Sequence, residues 1–368
     1  MYIWQQADWP AFTWDQKTLS KPLAEAHREQ GRLFGKMETL GFELRSEAVL
    51  RTFTEDVVKS SEIEGEKLDA DQVRSSIARR LGMDIAGLVP ADRNVEGVVE
   101  MTLDATRKHD EPLTQDRLFT WHAALFATGR SGMRIITVGD WRDDCDGPMR
   151  VVSGAAGREK VHYEAPPAER LPEEMQKFLT WFEQPGDADP LLFAGLAHLW
   201  FITLHPFDDG NGRIARAITD MALARSEGSQ QRFYSMSAQI RIERKQYYDL
   251  LERTQKSGLD VTHWQEWFIA CLVRAVDGAQ ATLDSVLQKS RFWERFAKHP
   301  FNERQIKVLN RLLDGFEGKL TSSKWAKLAK CSQDTAYRDI LELIERGALQ
   351  KNPGGGRSTS YSLVSDRN

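Results

Sequence analysis

The chain has 368 residues, 41% of them hydrophobic, which is enough to bury a large core divided over two or three domains. Its three cysteines, Cys145, Cys271 and Cys331, lie far apart without histidines at zinc-finger spacing, so they argue against a disulfide framework or zinc cluster and for a reducing cytoplasm. The net charge of −4 argues against a uniformly basic nucleic-acid-binding protein, and the longest apolar run, residues 191–204, is too short to span a membrane.

The first 130 residues have a helical pattern, in which apolar residues recur three and four positions apart among charged ones. The stretches "LAEAHREQGRLFGKMETL" and "FELRSEAVLRTFTEDVVKSS" are typical of amphipathic helices. Residues 149–164 predict a hairpin, because two β-prone runs flank a glycine-containing turn and two prolines follow. Helical periodicity resumes at residue 171, and an apolar helix is expected to end at His205.

The last part of the chain is distinct in charge and in pattern. Residues 291–368 carry 15 Lys/Arg and 9 Asp/Glu, a net charge of +6, which leaves −10 for residues 1–290. Three helical segments and a glycine-containing hairpin follow one another there, the order of a winged helix-turn-helix domain. We therefore predict three domains, at residues 1–110, 111–290 and 291–368.

The stretch "HPFDDGNGRIAR", residues 205–216, runs from a loop into a helix. Unpaired backbone N–H groups and the dipole at a helix start bind anions, and Asn211 and Gly212 occupy that position. Arg213 and Arg216 are three residues apart, so both guanidinium groups can face the same way and hold successive phosphates. These residues indicate a site for a polyphosphate.

Two further side chains of this stretch supply chemistry beyond binding. Asp209 is placed to hold Mg²⁺, which proteins usually bind through one carboxylate, waters and phosphate oxygens. His205 has the side chain best suited to take a proton from an attacking hydroxyl near neutral pH. The combination predicts nucleotidyl transfer, with an anion site for the α-phosphate, a metal for the leaving diphosphate and a base for the nucleophile. Taken singly, each residue is more often structural, and only their co-occurrence favours catalysis.

The same twelve residues resemble the signature of the Fic-domain family, HPFx(D/E)GNGRxxR, at every fixed position. The resemblance implies a Fic-type helical core in a mainly α protein, with His205 as general base and Asp209 as the Mg²⁺ ligand. It implies nucleotide binding by a further set of positions: Phe207, Gly210, Asn211, Gly212, Arg213 and Arg216. The reaction implied is transfer of AMP from ATP to a Ser, Thr or Tyr hydroxyl of a protein.

Two other stretches extend the resemblance. The hairpin at residues 149–164 is similar to the family's flap, which pairs with the target's backbone as an added strand; an ordinary edge hairpin is the alternative. The segment "YSMSAQIRIERKQYYDLL" resembles the helical region after the motif, where tyrosines lie near the adenine. Tyr247 and Tyr248 are candidates for that contact, although aromatic pairs in helices more often belong to the core.

The stretch "SSEIEGEKL" resembles the family's inhibitory motif (S/T)xxxE(G/N) through Ser60, Glu64 and Gly65. A carboxylate that reaches Arg216 would form an ion pair with it and occupy the place of the γ-phosphate. On its own the stretch is also typical of a helix end before glycine. Beside the complete motif, self-inhibition through Glu64 is the favoured interpretation.

The sequence thus predicts a Mg²⁺-dependent protein adenylyltransferase that acts on another protein or on itself. Two alternatives stay open: removal of AMP from a modified protein at the same site, and a DNA-binding regulator whose core senses nucleotides. If this domain binds DNA, we expect phosphate contacts from Lys324, Lys327, Arg338 and Arg357. The positions that would read bases lie at the exposed start of the third helix: Gln333, Asp334, Thr335 and Tyr337. Protein contact or homodimer packing is an equal alternative for this domain, since its charge is modest.

Overall fold

The computed structural model describes residues 1–85, 87–154, 158–298, 300–313, 315–316, 318–353 and 359–364, and for residues 281 and 282 it describes the backbone. The chain forms two compact units, Met1–Thr282 and Leu283–Asn368. The domain boundaries predicted after residues 110 and 290 stay predictions.

The first unit is built from helices, as the amphipathic patterns predict. Short 3-10 helices lie at Ile3–Gln5 and Ala168–Arg170. The longer helices are α1 (Gln16–Glu38), α2 (Phe42–Ile63), α3 (Ala70–Arg80), α4 (Arg93–Arg107), α5 (Gln115–Leu125), α6 (Leu171–Phe182), α7 (Pro190–Leu204), α8 (Asn211–Glu227), α9 (Met236–Ile242), α10 (Arg244–Gln255) and α11 (Thr262–Arg295), which continues past residue 282.

Helix α7 lies in the middle of the first unit because it is apolar on every face. Each of its residues after Pro190 is buried. Pro190 suits the first helical position, and the Asp189 side chain accepts a hydrogen bond from the N–H of Leu191. Helix α8 packs along α7, while the C-terminal end of α2 contacts the first turns of α8. This arrangement brings the loop between α7 and α8 next to the end of α2.

Two antiparallel hairpins accompany these helices. Strands β1 (Arg130–Ser131) and β2 (Arg134–Ile135) form the first, which the sequence did not predict. Strands β3 (Arg150–Ser153) and β4 (Lys160–Glu164) form the second, so the hairpin predicted over residues 149–164 is confirmed.

The second unit has its own core. Its elements are α12 (Glu303–Leu313), α13 (Ser322–Ala329), α14 (Gln333–Glu345), β5 (Leu349–Lys351) and β6 (Tyr361–Leu363). Trp325 and Ile340 are fully buried in it. The order of three helices and a hairpin matches the pattern read from the sequence, and assignment to the winged helix-turn-helix class stays a prediction. Arg357 lies outside the described residues.

The predicted fold class, mainly α with a β-hairpin beside a helical core, is confirmed. Within the described part of the chain, no helix combines the length and the apolar character that crossing a membrane requires.

Candidate active site

The loop between α7 and α8 carries the candidate catalytic residues, and its backbone is shaped at both ends. His205 ends α7 in the left-handed conformation, with φ of 49°, and Pro206 follows it. Gly210 precedes α8 with φ of 80°, a conformation that glycine adopts without steric cost. These two residues turn the chain sharply, so that His205 and the first turn of α8 face one another across a short loop.

His205 is oriented to act as a base. Its Nδ1 lies 3.3 Å from the backbone carbonyl of Ile202, which accepts the Nδ1 proton and leaves Nε2 with a free lone pair. Burial lowers the pKa of His205 to about 4, and the nearby Arg142 cation lowers it further. The Ile202 carbonyl and the carboxylates of Glu64 and Asp209 act in the opposite direction, but they do not outweigh the effect of burial. At neutral pH the imidazole is therefore uncharged and able to accept a proton.

The side chain of Asn211 holds the loop in shape. It accepts a hydrogen bond of 2.9 Å from the N–H of Phe207 and donates one of 2.7 Å to the Phe207 carbonyl. The Phe207 ring is fully buried and stacks on His122, with 4.2 Å between ring centroids. The Phe207 ring therefore belongs to the core, and the Asn211 amide is engaged within the loop.

Arg216 is paired with the end of α2. Its Nε donates to the Ser60 hydroxyl at 2.9 Å, and its Nη2 donates to the Ser60 carbonyl at 3.0 Å and to Oε1 of Glu64 at 2.7 Å. Burial tends to lower the pKa of Arg216, but the Glu64 carboxylate more than offsets this and the pKa is raised. Among the described residues, its buried Nη1 has no hydrogen-bond partner.

Glu64 also lies over the start of α8. A side-chain Cβ placed on Gly212 would come within 2.2 Å of Oε1 of Glu64, so the carboxylate occupies the space in front of this glycine. The Tyr248 hydroxyl lies 3.3 Å from Oε2 of the same carboxylate. The predicted pairing of Glu64 with Arg216 is thus present in the structure, and an anion sits at the helix start where a phosphate was expected. Gly65, with φ of 88°, allows the turn behind it.

A second carboxylate from the same turn, which the sequence interpretation missed, pairs with the other motif arginine. Oε2 of Glu66 lies 2.8 Å from Nη1 of Arg213. The Arg213 side chain is 3% exposed and its guanidinium lies 5.0 Å from the centre of the Phe126 ring. Its buried Nε has no hydrogen-bond partner in the described residues. The second glutamate in "SSEIEGEKL" was the available signal, since the loop-helix motif carries two arginines and Glu64 accounts for one of them.

Asp209 lies in the loop, beside the β1–β2 hairpin. One of its carboxylate oxygens accepts a hydrogen bond from the Gly210 N–H at 2.6 Å, and the other accepts one from the Ser131 hydroxyl. A carboxylate beside a hydroxyl is a donor set that would suit Mg²⁺, and Asp209 with Ser131 would hold the ion here. Ser131 is a residue that sequence reasoning did not single out.

The two candidate tyrosines of α10 have different surroundings. Tyr247 is 1% exposed, and its hydroxyl lies 2.9 Å from Nε2 of His198, so it is a core residue. Tyr248 borders the site through Glu64 and is partly exposed; burial and the neighbouring carboxylate raise its pKa to about 12. The structure brings Tyr248, and not the Tyr247 ring, to the surface of the candidate site.

Arg142 is a further residue that the sequence interpretation missed, and it holds the His205 segment in place. The Nε of this buried arginine donates to the His205 carbonyl at 2.8 Å, while its backbone N–H donates to the Pro206 carbonyl at 2.9 Å. Its Nη2 donates to the Pro166 carbonyl at 2.6 Å, just beyond β4. Arg142 thereby joins the base of the β3–β4 hairpin to the loop between α7 and α8.

Two family models match parts of the chain. Residues 112–223 match the Fic/DOC family, and residues 2–83 match a domain of unknown function, DUF4172. The first match contains the loop between α7 and α8 together with His122 and Arg142. The second contains the turn with Glu64 and Glu66.

Curated relatives match part of the same region. The uridine 5'-monophosphate transferase of Xanthomonas campestris is 37% identical over 123 residues, which are 31% of this chain and 21% of that protein. The protein adenylyltransferase Fic of Nematostella vectensis is 30% identical over 120 residues, 32% of this chain and 26% of that protein. The matches span about a fifth to a quarter of these relatives.

A solved structure is similar over nearly the whole chain. The crystal structure of a Fic family protein from Desulfovibrio desulfuricans covers 98% of this chain and 99% of its own, with a TM-score of 0.54 and 22% identity. At that identity the likeness shows the fold. The chain therefore has the helical fold of that Fic family protein.

Proposed function

We propose that the protein is a Mg²⁺-dependent nucleotidyltransferase that moves AMP from ATP to a Ser, Thr or Tyr hydroxyl of a protein, and the match of residues 112–223 to the Fic/DOC family supports this proposal. One observation carries the proposal: a carboxylate, Glu64, lies against Gly212 and pairs with Arg216, so this helix start holds an anion. The buried guanidinium N–H groups of Arg213 and Arg216 that have no partner among the described residues are further donors for phosphate oxygens.

The chain's own groups suffice for positioning and proton transfer. With Glu64 withdrawn, the α8 N–H groups and the two arginines hold the phosphates, and Nε2 of His205 takes the proton from the attacking hydroxyl. The hydroxyl oxygen bonds to the α-phosphorus, and diphosphate leaves. Mg²⁺ bound at Asp209 would neutralise charge on the phosphate oxygens. Arg142 keeps the His205 backbone at the correct distance from the helix start.

The same geometry supports self-inhibition. Glu64 competes with the γ-phosphate for Arg216 and fills the space in front of Gly212, so ATP and this carboxylate exclude one another. Glu66 competes for Arg213 in the same way. The turn after α2 is thus proposed to hold both motif arginines until it moves away.

The test compares the parent protein with Glu64→Gly, His205→Ala and a control, Glu62→Gly, whose native side chain pairs with Lys59 instead of a motif arginine. We expect Glu64→Gly to incorporate about five- to a hundredfold more α-labelled AMP, a range typical of coupled binding sites. In the Glu64→Gly background, His205→Ala should reduce incorporation by about a hundred- to ten-thousand-fold. Equal incorporation by the parent and Glu64→Gly would contradict inhibition.

The same assay distinguishes the alternatives. Because one relative is named as a uridine 5'-monophosphate transferase, the assay is repeated with α-labelled UTP. Preferential incorporation of UMP would show that UTP, and not ATP, is the nucleotide substrate. Release of AMP from a previously modified protein, dependent on Glu64, would support AMP removal. Nucleotide binding without any transfer would favour a sensor, although a base at His205 has no use in binding alone.

A further inference from the structure

The β3–β4 hairpin carries a hydrogen-bonded chain of serine, histidine and glutamate that the proposed function does not use. The Ser153 hydroxyl lies 2.6 Å from Nε2 of His162, and Nδ1 of the same ring lies 2.6 Å from Oε2 of Glu252 on α10. This is the connectivity that activates a serine nucleophile in hydrolases: the carboxylate fixes the ring, and the ring accepts the hydroxyl proton.

The local backbone supports this arrangement. In the register of the hairpin, Val151 is opposite Tyr163 and Val152 is opposite Val161, so His162 is an extra residue without an opposite partner. Such a bulge re-aims a side chain. The imidazole thereby reaches Ser153 on the neighbouring strand and Glu252 on α10. The hydrogen bond between His162 and Glu252 attaches the hairpin to α10.

The three groups are suited to act on a substrate at the surface. Ser153 is exposed, whereas the side chains of His162 and Glu252 are 25% and 24% exposed. Hydrogen bonds from Lys256 first, and then from His162, lower the pKa of Glu252 to about 2, so this carboxylate is charged at neutral pH. The imidazole Nδ1–H therefore has a permanent acceptor, and Nε2 faces the hydroxyl.

The chain of groups lies beside the candidate active site. Glu252 lies one helical turn after Tyr248 on α10. Side chains four residues apart on a helix are neighbours, with about 6 Å between their Cβ atoms. The Tyr248 hydroxyl in turn lies 3.3 Å from Glu64. The hairpin is also joined to the last turn of α7, just before His205, because the Tyr163 hydroxyl donates to the Thr203 carbonyl at 2.7 Å. A nucleotide at the start of α8 is therefore close to this hairpin.

We propose that Ser153 is an activated nucleophile and an acceptor of AMP, so that the protein modifies its own hairpin at this position. This inference rests on the proposed function for the source of AMP. The Ser153 oxygen bonds to the α-phosphorus of ATP, its proton passes to Nε2 of His162, and the bond from the α-phosphorus to the departing diphosphate breaks. Glu252 stabilises the imidazolium that forms. An adduct here would remove the free hydroxyl from the hairpin that the target is proposed to contact.

The first test does not depend on ATP. The intact protein is treated with a fluorophosphonate probe, which labels serines activated by a histidine, and the adduct is located by peptide mass spectrometry. We expect labelling of Ser153, and we expect His162→Gln and Glu252→Gln each to slow it, the first by about a hundredfold as for loss of a general base. Ser290, whose hydroxyl lies 3.1 Å from Glu294 without a histidine, is the control serine and should stay unlabelled. Absence of an adduct at Ser153, or labelling that does not depend on His162, would overturn the activation.

The second test uses the Glu64→Gly protein with ATP and Mg²⁺. We expect AMP on Ser153, and we expect Ser153→Ala to abolish that adduct, whereas Ser290→Ala, at the control serine, should leave the adduct in place. Adducts on other residues with none on Ser153 would overturn the acceptor role and leave the adenylyltransferase proposal intact. Absence of AMP on every protein would contradict both proposals, and the fluorophosphonate labelling would then report on Ser153 activation alone.

Discussion

At the scale of single residues, two carboxylates of one turn face the two arginines of the motif. Glu64 pairs with Arg216 at 2.7 Å and Glu66 pairs with Arg213 at 2.8 Å. Both guanidinium groups are 3% exposed, so each cation would lack a charged partner if the turn left and no ligand replaced it. The departure of the turn is therefore expected to be coupled to the arrival of phosphates.

We predict that Glu66→Gln lowers the Kd for ATP several-fold, because it removes the carboxylate that competes for Arg213. The effect should be smaller than that of Glu64→Gly, since the Glu66 side chain is 46% exposed and its ion pair is screened by solvent. Isothermal titration with ATP and Mg²⁺ measures both values. Glu62→Gln serves as the control in the same helix end. An unchanged Kd for Glu66→Gln would mean that its contact with Arg213 is incidental.

The sequence predicts those residue contacts that follow from fixed spacing. Arg213 and Arg216 share a helix face because they are three residues apart, and the Glu64 pairing followed from charge and motif. The role of Arg142 could not be predicted, because it depends on three carbonyl groups that are brought together only in the folded chain. The burial of Tyr247 beside an exposed edge of Tyr248 likewise depends on how α10 packs.

At the scale of helices, a buried ionic cluster joins α2 to α8. Asp56 of α2 and Asp220 and Glu227 of α8 lie close to Arg232, which pairs with Asp220 at 3.1 Å and with Glu227 at 3.5 Å. Burial first, and then the Asp56 charge, raises the pKa of Asp220 well above its usual range; burial also raises the pKa of Glu227. Three acids with one arginine thus favour a protonated carboxyl between α2 and α8.

We predict that stability falls as pH rises across this cluster. In the unfolded chain Asp220 ionises near the ordinary aspartate pKa of 3.8, whereas in the folded chain it holds its proton to higher pH. Between the pKa of the unfolded chain and that of the folded chain, folding therefore takes up a proton. The free energy of unfolding should therefore decrease with pH by up to about 1.4 kcal/mol per pH unit for one group. The change begins above about pH 4 and ends when the folded carboxyl ionises.

Asp220→Asn tests this prediction, because the amide keeps the size of the side chain and does not titrate. The thermal midpoint of the parent and the variant is measured at intervals from about pH 4.5 to about pH 8.5, buffer values chosen to bracket the expected change. We expect the difference between the parent and Asp220→Asn to move in favour of the variant as pH rises. A difference that is constant over this range would show that Asp220 does not hold an extra proton. Asp284, in α11, is replaced by Asn as a control for loss of a carboxyl elsewhere.

Helices were predictable from the sequence wherever apolar periodicity was unbroken. The segment 171–182 begins and ends as expected, because Pro172 stands in the first turn and the helix buries one apolar face. The segment 234–251, which resembles a helical region, contains the helices α9 and α10, and these two meet at Glu243. The Glu243 carboxylate accepts hydrogen bonds from Arg274 and Trp267 of α11. The β-bulge at His162 depends on its contacts with Ser153 and Glu252, which no local pattern encodes.

At the scale of the whole molecule, the C-terminal unit adds a surface of different character. Lys327 and Arg338 are exposed on α13 and α14, as a phosphate-binding surface requires. Lys324 makes a cation–π contact, since its Nζ lies 5.3 Å from the centre of the Phe316 ring. Tyr337 and Leu341, one turn apart on α14, are 49% and 46% exposed. Because this unit exposes both positively charged and apolar side chains, DNA contact and protein contact stay competing predictions.

Binding of the full chain to duplex DNA at increasing salt separates these two predictions. If the unit contacts phosphates, affinity should fall linearly with the logarithm of salt concentration, because each neutralised phosphate releases a counterion. Lys327→Gln and Arg338→Gln should each weaken binding to every sequence and reduce the salt slope by about one, whereas Lys17→Gln, at an exposed position of the first unit, should change neither. Binding that is absent at low salt, or a slope unaffected by the two substitutions, would assign this surface to protein contact. Tyr337→Ser should then shift the chain from dimer to monomer in sedimentation, because it removes the exposed aromatic ring from the surface of α14.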